Sequence, residues 1–433
     1  MAIANKSLLD EWNDLSDPER LEAFESLPRD RADDFFLQLT SRDQAALLLS
    51  LPEGERRIWL RLLPPDDAAD VLQLAPEKER NELAAELDDV TRREVNALLA
   101  YKEDAAGGLM NPRFARLRPD MTVDEAISYL RHQASHVETI YYAYVLDEAQ
   151  RLLGVVGFRD LFSSDRSKLV RDIMRTQFLS ASEQMDQEAV ARLFAESRLL
   201  AIPVLDSEGR MQGIVTADDI VDVVEQEASE DIQKVGGLEA LDGPYLQIPF
   251  WQMVKKRAGW LTILFIGEML TATAMGHFQD EIARAVVLAL FVPLIISSGG
   301  NSGSQATTLV IRAMALGELR LRDWWIVIYR EFSTGLALGS VLAVIGLIRI
   351  LLWEAVWKTY GPHYMVIAST VACSLVGVVL FGTVSGSMLP FALRRIGLDP
   401  ASASAPFIAT LVDVSGLVIY FTIASIILRG SLL

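Results

Sequence analysis

The stretch PFIATLVDVSGLVIYFTIASIIL, from Pro406 to Leu428, decides the fold of the second half of this chain. It is apolar at nearly every position, and its 23 residues exceed the roughly 20 that a helix needs to cross a bilayer. One carboxylate, Asp413, stands near its middle. A charge at membrane depth costs about 2.5–3.5 kcal/mol on insertion scales, so Asp413 requires a hydrogen-bonding Ser or Asn, a wet cavity or a bound cation.

Further apolar runs precede this one, and together they predict five membrane-spanning helices. Their approximate bounds are 258–276, 284–298, 324–352, 365–390 and 404–428. Basic residues cluster in alternate loops, which places those loops in the cytoplasm: Lys255, Lys256 and Arg257, then Arg312, Arg320 and Arg322, then Arg394 and Arg395. The N-terminus does not read as a cleaved signal peptide. We therefore expect cytoplasmic N-terminal domains and a C-terminus outside.

The charge of the chain is unevenly distributed. The net charge is −18, yet residues 1–250 carry 27 Lys and Arg against 49 Asp and Glu, whereas residues 251–433 carry 13 against 9. An acidic surface argues against nucleic acid as a partner, because phosphate binding needs a basic face. It suits a cation instead. The single cysteine, Cys373, excludes an intrachain disulfide and a cysteine zinc site.

The soluble half has two kinds of pattern. Residues 1–105 contain short amphipathic helices that recur about every 12 residues, as a wound stack or a plain bundle. Residues 106–169 and 170–228 then repeat one order of strands and helices, with YVLD and GVV in the first copy and PVLD and GIV in the second. This pair resembles tandem cystathionine-β-synthase (CBS) domains, a common sensor module.

Two segments connect to the membrane part or interrupt it. Residues 229–256 continue an acidic helix into a linker that precedes the first span. The stretch SSGGNSGSQATTL, from Ser297 to Leu309, is predicted to break the second span, because glycine lets the backbone turn carbonyl oxygens toward a pore. The alternative is a helix with a small-residue packing surface. It is not a phosphate loop, since Gly-Lys-Ser/Thr is missing.

The motifs PLIISSGGNSGSQATTLVIRAMALGEL and DPASASAPFIATLVDVSGLVIYF, the tandem CBS repeats and the acidic helix resemble the MgtE family of magnesium channels and transporters. The resemblance implies a homodimer in the inner (plasma) membrane. It also implies a multidomain membrane protein with an all-α N-terminal domain, α/β tandem CBS domains, a connecting "plug" helix over 229–256 and an α-helical transmembrane domain of five helices over 257–433.

The resemblance also implies where ions bind. Asp413 is expected to be the ion-binding carboxylate of the pore, lined further by Ser297, Gly300, Asn301 and Ala409. Carboxylate, carbonyl and amide oxygens beside water are the ligands that Mg²⁺ prefers. The sequence departs from the family pattern at Ser304, which replaces an amide, and at Ala405, where Asn is sometimes found.

Cytosolic acids are expected to sense Mg²⁺ and to close the pore when the ion is abundant. The resemblance implies that the acids share ions between the N-terminal domain, the CBS domains and the plug helix: Asp219, Asp222, Glu227, Glu230 and Asp231, with Asp66, Asp67 and Asp70 as weaker candidates. Without the resemblance, the same residues form a solvated helix face.

The second repeat carries GIVTADD, in which Thr216 and Asp219 match the CBS pattern for adenine-nucleotide binding, for example of ATP. The first repeat has Gly157 in place of the hydroxyl residue. Asp219 does not easily serve both nucleotide and metal, so the two uses remain alternatives. His132 and His136 lie four apart, but no third zinc ligand follows them.

The sequence is compatible with three functions. The first is a dimeric, Mg²⁺-gated channel for Mg²⁺. The second is a transporter or exporter of another divalent cation, such as Co²⁺, Ca²⁺ or Mn²⁺. The third is a CBS-regulated membrane sensor that transports nothing. An enzyme is not expected, because the sequence presents no nucleophile with a matching base.

Overall fold

The computed structural model describes residues 8–9, 11–241, 243 and 245–429. The chain divides into two compact units, one ending at Glu225 and the other beginning at Gln226. The first unit holds the N-terminal helices and the CBS pair, and the second holds the long apolar helices. The predicted fold class, a helical domain followed by a CBS pair and five apolar helices, is confirmed.

Short helices separated by prolines build the N-terminal domain. They are α1 (Asp17–Glu25), α2 (Arg29–Gln38), α3 (Ser41–Ser50), α4 (Glu53–Leu60), α5 (Pro65–Leu74), α6 (Glu77–Glu86) and α7 (Asp89–Leu98). Several begin after an apolar residue followed by proline, as at Leu51-Pro52, Leu63-Pro64 and Ala75-Pro76. Proline disfavours the helical conformation at the residue before it, so at these positions one helix ends and the next begins.

Alternate helices of this series pack on one another. Helix α3 contacts α1 and α5, α5 contacts α7, and α4 contacts α6. The residue before each of these three prolines is buried, with Leu51, Leu63 and Ala75 at 2–3% exposure. Contact between every second helix is the geometry of a wound stack, which the sequence had left open against a plain bundle.

Each CBS repeat forms a small mixed sheet flanked by helices. The first repeat comprises α8 (Ala106–Leu109), β1 (Arg116–Leu117), α9 (Val123–Gln133), β2 (Tyr142–Leu146), β3 (Leu152–Gly157) and α10 (Phe158–Ser163). The second comprises α11 (Val170–Ile173), β4 (Ala181–Ser182), α12 (Gln187–Ser197), β5 (Ala201–Leu205), β6 (Met211–Thr216) and the start of α13 (Ala217–Val235).

The two sheets have the same register. Strands β1 and β2 pair in parallel and β2 and β3 antiparallel, and the second repeat repeats this order with β4, β5 and β6. Tyr144 and Val204 lie in the central strands β2 and β5, at 1% and 0% exposure. The predicted internal repeat is therefore structural. Helix α13 runs on through residue 228, where the sequence had predicted a domain boundary.

Long helices make up the second unit. They are α14 (Phe250–His277), α16 (Val292–Ala315), α17 (Trp324–Trp357), α18 (Tyr364–Arg395) and α19 (Ala405–Ile427), with α15 (Gln279–Arg284) and a 3₁₀ segment (Val286–Phe291) before α16. Among the described residues, five helical segments are long and apolar enough to cross a membrane. Helix α18 packs along α16, α17 and α19, and α14 contacts α19.

The prediction of an irregular break in the second span is wrong, because α16 runs through the glycine-rich stretch without interruption. A Cβ on Gly299 would lie 2.6 Å from Val378 Cγ1, and one on Gly303 would lie 2.6 Å from Ile408 Cγ2. The glycines thus allow close approach of α18 and α19 rather than a turn of the backbone, which is the small-residue alternative.

Candidate functional site

The carboxylate predicted to bind the ion, Asp413, lies half-buried in α19, two turns after the helix begins at Ala405. Its side chain lies within hydrogen-bonding reach of the Glu268 carboxyl on α14. The two helices are in close contact here, since a Cβ on Gly267 would lie 2.9 Å from Thr410 Cγ2. Two carboxylates that meet at membrane depth repel each other, and a cation between them offsets that repulsion.

Glu268 does not pair with Arg349, the arginine in the second half of α17. Arg349 donates to the Tyr360 hydroxyl at 2.6 Å, and its guanidinium lies over the Trp353 ring, 4.8 Å from the centroid. The Arg349 guanidinium therefore contacts Tyr360 and Trp353, and the partner of Glu268 is Asp413.

The other predicted pore residues lie on or beside α16, where it crosses α19. A Cβ on Gly300 would lie 3.6 Å from Ala409 Cα, and the Ser304 hydroxyl donates to the Ala405 carbonyl at 3.3 Å. Ala409 is one turn before Asp413 on the same helix. The crossing thus brings the predicted residues of α16 close to those of α19.

Helix α16 has two polar faces with different surroundings. One is buried against α18, where the Ser302 and Thr383 hydroxyls lie 2.9 Å apart and Thr307 donates to the Gly386 carbonyl at 2.8 Å. The other is exposed and carries residues spaced one turn apart: Ser297, Asn301, Gln305 and Thr308. We call these four residues the polar stripe.

The sequence reasoning found half of the polar stripe and missed the rest. It singled out Ser297 and Asn301, but it did not single out Gln305 and Thr308. The signal was present in the spacing of i, i+4, i+8 and i+11, which is a helical period. The prediction of an irregular backbone over this stretch is the reason that the helical period was not recognised.

In the first unit, acids from the N-terminal domain meet acids from the CBS pair. Asp66, Asp67 and Asp70 lie in and after the first turn of α5, where Pro65 starts the helix. Asn111, completely buried in the CBS pair, donates to Asp66 at 3.1 Å and to Glu138 at 2.7 Å. The Asn111 amide group therefore links Asp66 of the N-terminal domain to Glu138 of the CBS pair.

These acids repel one another and are poorly solvated. Burial, followed by the charges of Asp219 and other neighbours, raises the pKa of Asp66 well above its usual value. Burial and the nearby charge of Asp67 raise the pKa of Asp70 to about 7. Burial likewise raises the pKa of Asp219 to about 7, although hydrogen bonds from Thr216 oppose the shift. Such a set is stabilised by protons or by cations.

The remaining predicted acids lie along α13. Asp222 is exposed and belongs to the group around Asp67 and Asp70. Glu230 forms an ion pair with Lys234, and Glu227 and Asp231 also have interaction partners. Among the described residues, no three His, Cys, Asp or Glu side chains converge closely enough to hold a metal ion without movement.

The two residues predicted to bind nucleotide bond to each other. The Thr216 hydroxyl donates to Asp219 at 2.6 Å, and Asp219 faces the acids of α5 rather than a cleft. A cleft of about 690 Å³ is found instead between the two repeats, where Gly157 and Asp160 of the first repeat lie opposite residues of the second, such as Leu200. Its walls include Tyr142, Tyr144, Phe158, Phe178, Arg159 and Arg175.

This cleft has the chemistry that a nucleotide needs. Aromatic rings offer stacking surfaces, Arg159 and Arg175 are cationic, and Asp160 accepts from Arg175 at 2.9 Å. The buried Tyr144 hydroxyl has no hydrogen-bond partner, which is uncommon for an interior polar group and favours a ligand beside it. His132 and His136 do not share a helical face, since α9 ends at Gln133.

Comparison with protein families agrees with this arrangement. Residues 292–423 match the family model MgtE, described as a divalent cation transporter, and residues 4–104 match the MgtE intracellular N domain. Residues 106–166 and 170–226 match CBS domains.

Similar proteins include two bacterial magnesium transporters named MgtE. The one from Thermus thermophilus is 40% identical over 431 residues, covering 99% of this chain and 94% of that protein. The one from Bacillus subtilis is 31% identical over 416 residues, covering 96% and 90%. A crystal structure of the cytosolic domain of the Mg²⁺ channel MgtE in complex with ATP is 41% identical, with a TM-score of 0.48, and covers 51% of this chain and 90% of that one.

Proposed function

Because this chain belongs to the MgtE family of magnesium transporters, we propose that it conducts Mg²⁺ across the membrane past Asp413. The observation that carries the proposal is a carboxylate at membrane depth, half-buried and beside a second carboxyl, Glu268. A hydrated divalent ion offsets that charge and keeps most of its water, which suits Mg²⁺ because it dehydrates reluctantly.

We propose that two copies enclose the pore. The polar stripe of α16 is exposed in the single chain, and polar side chains that face lipid are unfavourable. A second copy that met the first along this stripe would enclose it around water. The Asp413 carboxylates of both copies would then lie near one axis, and their combined charge would lower the cost of removing water from the ion.

We place the N-terminal and CBS domains in the cytoplasm and the C-terminus outside. The basic residues support this orientation, because Lys255 to Arg257 in the first turns of α14, Arg320 before α17 and Arg394 in the last turn of α18 all fall at helix ends on one side of the membrane. Cytosolic Mg²⁺ then reaches the acids of α5 and α13.

The acids are proposed to act as the gate's sensor. Asp66, Asp67 and Asp70 repel Asp219 and Asp222 when no cation is present, and a divalent cation between them favours the packed arrangement. Mg²⁺ thus shifts the population toward a closed state by binding that state more tightly. Glu227 and Asp231 remain candidates for the same role, whereas we leave Glu230 out because Lys234 neutralises it.

The nucleotide site is proposed to lie in the cleft between the two repeats, beside Asp160 of the first repeat. With adenine stacked on the aromatic walls, Asp160 would accept from the ribose hydroxyls and the two arginines would face the phosphates. We expect Asp160→Ala to abolish ATP binding in calorimetry on the purified protein and Asp219→Ala to leave it intact. The opposite result would return the site to the second repeat.

Ion flux separates this function from its rivals. Purified protein in liposomes that contain a Mg²⁺-sensitive dye should give Mg²⁺ influx, with Ca²⁺, Co²⁺ and Mn²⁺ competing weakly. Stronger flux of one of those ions would favour a transporter of that cation. No flux of any of the four would favour the membrane sensor and reject the proposal.

A further inference from the structure

The exposed apolar face of α17 carries a cation, Arg349, in the second half of the helix. Its exposed neighbours on that face are Ile345 at 57%, Ile348 at 49% and Leu352 at 53%. A different face of α17, on which Ile350 is completely buried, packs against α18. Because an exposed apolar face of a membrane-spanning helix lies against lipid, the Arg349 guanidinium borders the bilayer and not the interior of the helix bundle.

The length of α17 places this cation at one boundary of the hydrocarbon. No ionisable side chain lies between Glu331 and Arg349. This stretch rises about 27 Å, at about 1.5 Å per residue, and so nearly matches the hydrocarbon core of about 30 Å. Trp353 and Trp357 follow at the level of the headgroups, where tryptophan is enriched. The flexible stem of Arg349 then brings its guanidinium to the phosphate groups of the lipids.

Aromatic side chains hold the Arg349 guanidinium in one place. It donates to the Tyr360 hydroxyl at 2.6 Å, and it lies 4.8 Å from the centroid of the Trp353 ring and 5.9 Å from that of Phe291. Tyr360 is buried, and its backbone amide donates to Glu354 at 2.7 Å, which fixes the tyrosine in turn. A guanidinium that is already held in position loses little conformational freedom when it binds a ligand.

Most of the hydrogen-bonding capacity of Arg349 is unused. A guanidinium has five N–H groups, and among the residues that the structure describes it donates to Tyr360 alone and forms no ion pair. Glu354, which lies near it in the chain, accepts from the Tyr360 amide instead. A cation at the edge of the hydrocarbon is costly without an anion beside it. Arg349 therefore lacks an anion that the protein itself does not supply.

A phospholipid has the groups that fit this surface. Its phosphate oxygens accept two parallel N–H groups of a guanidinium, and its acyl chains match the apolar face around Ile345, Ile348 and Leu352. The Trp353 and Trp357 rings, with centroids 5.1 Å apart, suit the glycerol level between the two. Phosphatidylglycerol attracts the guanidinium more strongly than phosphatidylcholine does, because no choline ammonium balances its phosphate charge.

We propose that Arg349, Trp353 and Tyr360 form a binding site for the phosphate of an anionic phospholipid. The site lies in the leaflet on the side of the loop between α17 and α18. It does not depend on the proposed function, because it follows from the packing of α17 and from the length of its uncharged stretch. The bound phosphate supplies the charge that Arg349 lacks and anchors this end of α17 at the membrane surface.

Native mass spectrometry of the full-length protein in detergent, titrated with dioleoyl phosphatidylglycerol, measures the affinity of this site. The wild type should retain one phosphatidylglycerol per chain more tightly than dioleoyl phosphatidylcholine. Arg349→Gln should weaken that binding about tenfold or more, the order expected for loss of a charge-assisted pair of hydrogen bonds. Glycerol 3-phosphate, which has the phosphate without acyl chains, should not displace the lipid.

Arg284→Gln is the matched control, since it removes an exposed arginine at the end of α15, on the same side of the membrane, and should leave lipid affinity unchanged. Wild-type affinity in the Arg349 variant overturns the inference, as does an equal loss in the Arg284 variant. Equal affinity of the wild type for the two lipids, or displacement by glycerol 3-phosphate, overturns it as well.

If Arg349→Gln does not assemble, Tyr360→Phe decides the question. This variant keeps the charge of Arg349 and removes the hydroxyl that holds its guanidinium in position. It should weaken phosphatidylglycerol binding severalfold, the order expected for loss of one hydrogen bond. Binding as tight as in the wild type would then overturn the inference.

Discussion

Gly303 leaves no space for a side chain between α16 and its neighbours. A Cβ there would lie 2.6 Å from Ile408 Cγ2 and 2.9 Å from the Gly382 carbonyl, and the carbonyl belongs to backbone that is held in α18. Gly300, three residues earlier, differs, because its closest neighbour would be Ala409 Cα at an ordinary 3.6 Å. The two glycines make a matched pair on one helix.

We expect Gly303→Ala to destabilise the protein by about 1–3 kcal/mol, the cost of overpacking, and Gly300→Ala to be neutral or to stabilise by up to about 1 kcal/mol. Thermal unfolding in detergent, followed by the fluorescence of the tryptophans, measures both. Equal stability of the two variants would mean that α18 is not in close contact with α16.

Asn111 holds two domains together through its side-chain amide group. Its buried amide donates to both Asp66 and Glu138, so it attaches the N-terminal domain to the CBS pair without any ion. Removal of one partner from a buried hydrogen bond leaves the other unsatisfied. The pairing of Thr216 with Asp219 is similar in kind, since it orients a carboxyl toward α5.

At the scale of the element, α16 separates a helix-packing face from the polar stripe. Val341 and Ile345 of α17 are also exposed, at 58% and 57%, but they are apolar and suited to lipid. We therefore expect water beside the polar stripe and lipid beside these residues of α17.

Single cysteines test that assignment. In a Cys373→Ser background, which removes the chain's one cysteine, cysteines at Ser297, Asn301, Gln305 and Thr308 should react with a membrane-impermeant thiol reagent. Val341→Cys and Ile345→Cys on α17 should react far more slowly, because the thiolate forms in water rather than in lipid. Equal labelling of the two sets would show that the polar stripe does not line water.

Helices α5 and α13 carry the acids of the proposed Mg²⁺ sensor, and these acids make the packing of the two helices sensitive to pH. The pKa of Asp70 and that of Asp219 are raised to about 7 in the packed arrangement, above 3.8 for a solvated aspartate. Between pH 3.8 and about 7 the packed arrangement thus binds more protons than the separated one, so it is increasingly favoured as pH falls through 7 and has lost this advantage once pH is above 7.

In EDTA, the N-terminal half should accordingly resist protease better at pH 6 than at pH 8. The fair comparison is the cleavage rate with EDTA divided by the rate with Mg²⁺ at the same pH, which removes the pH dependence of the protease. We expect this ratio to be severalfold larger at pH 8 than at pH 6. A ratio independent of pH would mean that these carboxyls are not close together.

At the scale of the whole molecule, the sequence predicted the features that depend on local rules. The proline spacing of the first 100 residues, the repeated strand order of the CBS pair and the five apolar runs each follow from backbone geometry or hydropathy. The position of Asp413 within the last span also follows, because one charge in an apolar run is visible without a structure.

The features that the sequence did not predict depend on packing between distant segments. Glycines normally weaken a helix, but α16 stays continuous because α18 and α19 fill the space that its side chains leave. The meeting of Asp413 with Glu268, of Asp66 with Asn111 and of Lys234 with Asp399 joins residues far apart in the chain. No local pattern encodes such pairs.

The central claim is that Mg²⁺ crosses the membrane past the Asp413 carboxylate. Asp413→Asn keeps the shape of the side chain and removes its charge, so the variant should assemble as the wild type does. The most direct measurement compares Mg²⁺ influx into two sets of liposomes, one with wild-type protein and one with an equal amount of the variant. We predict that the variant loses at least about 90% of the influx, roughly the effect of losing about 1.4 kcal/mol or more of ion stabilisation. Influx at the wild-type rate would contradict the account.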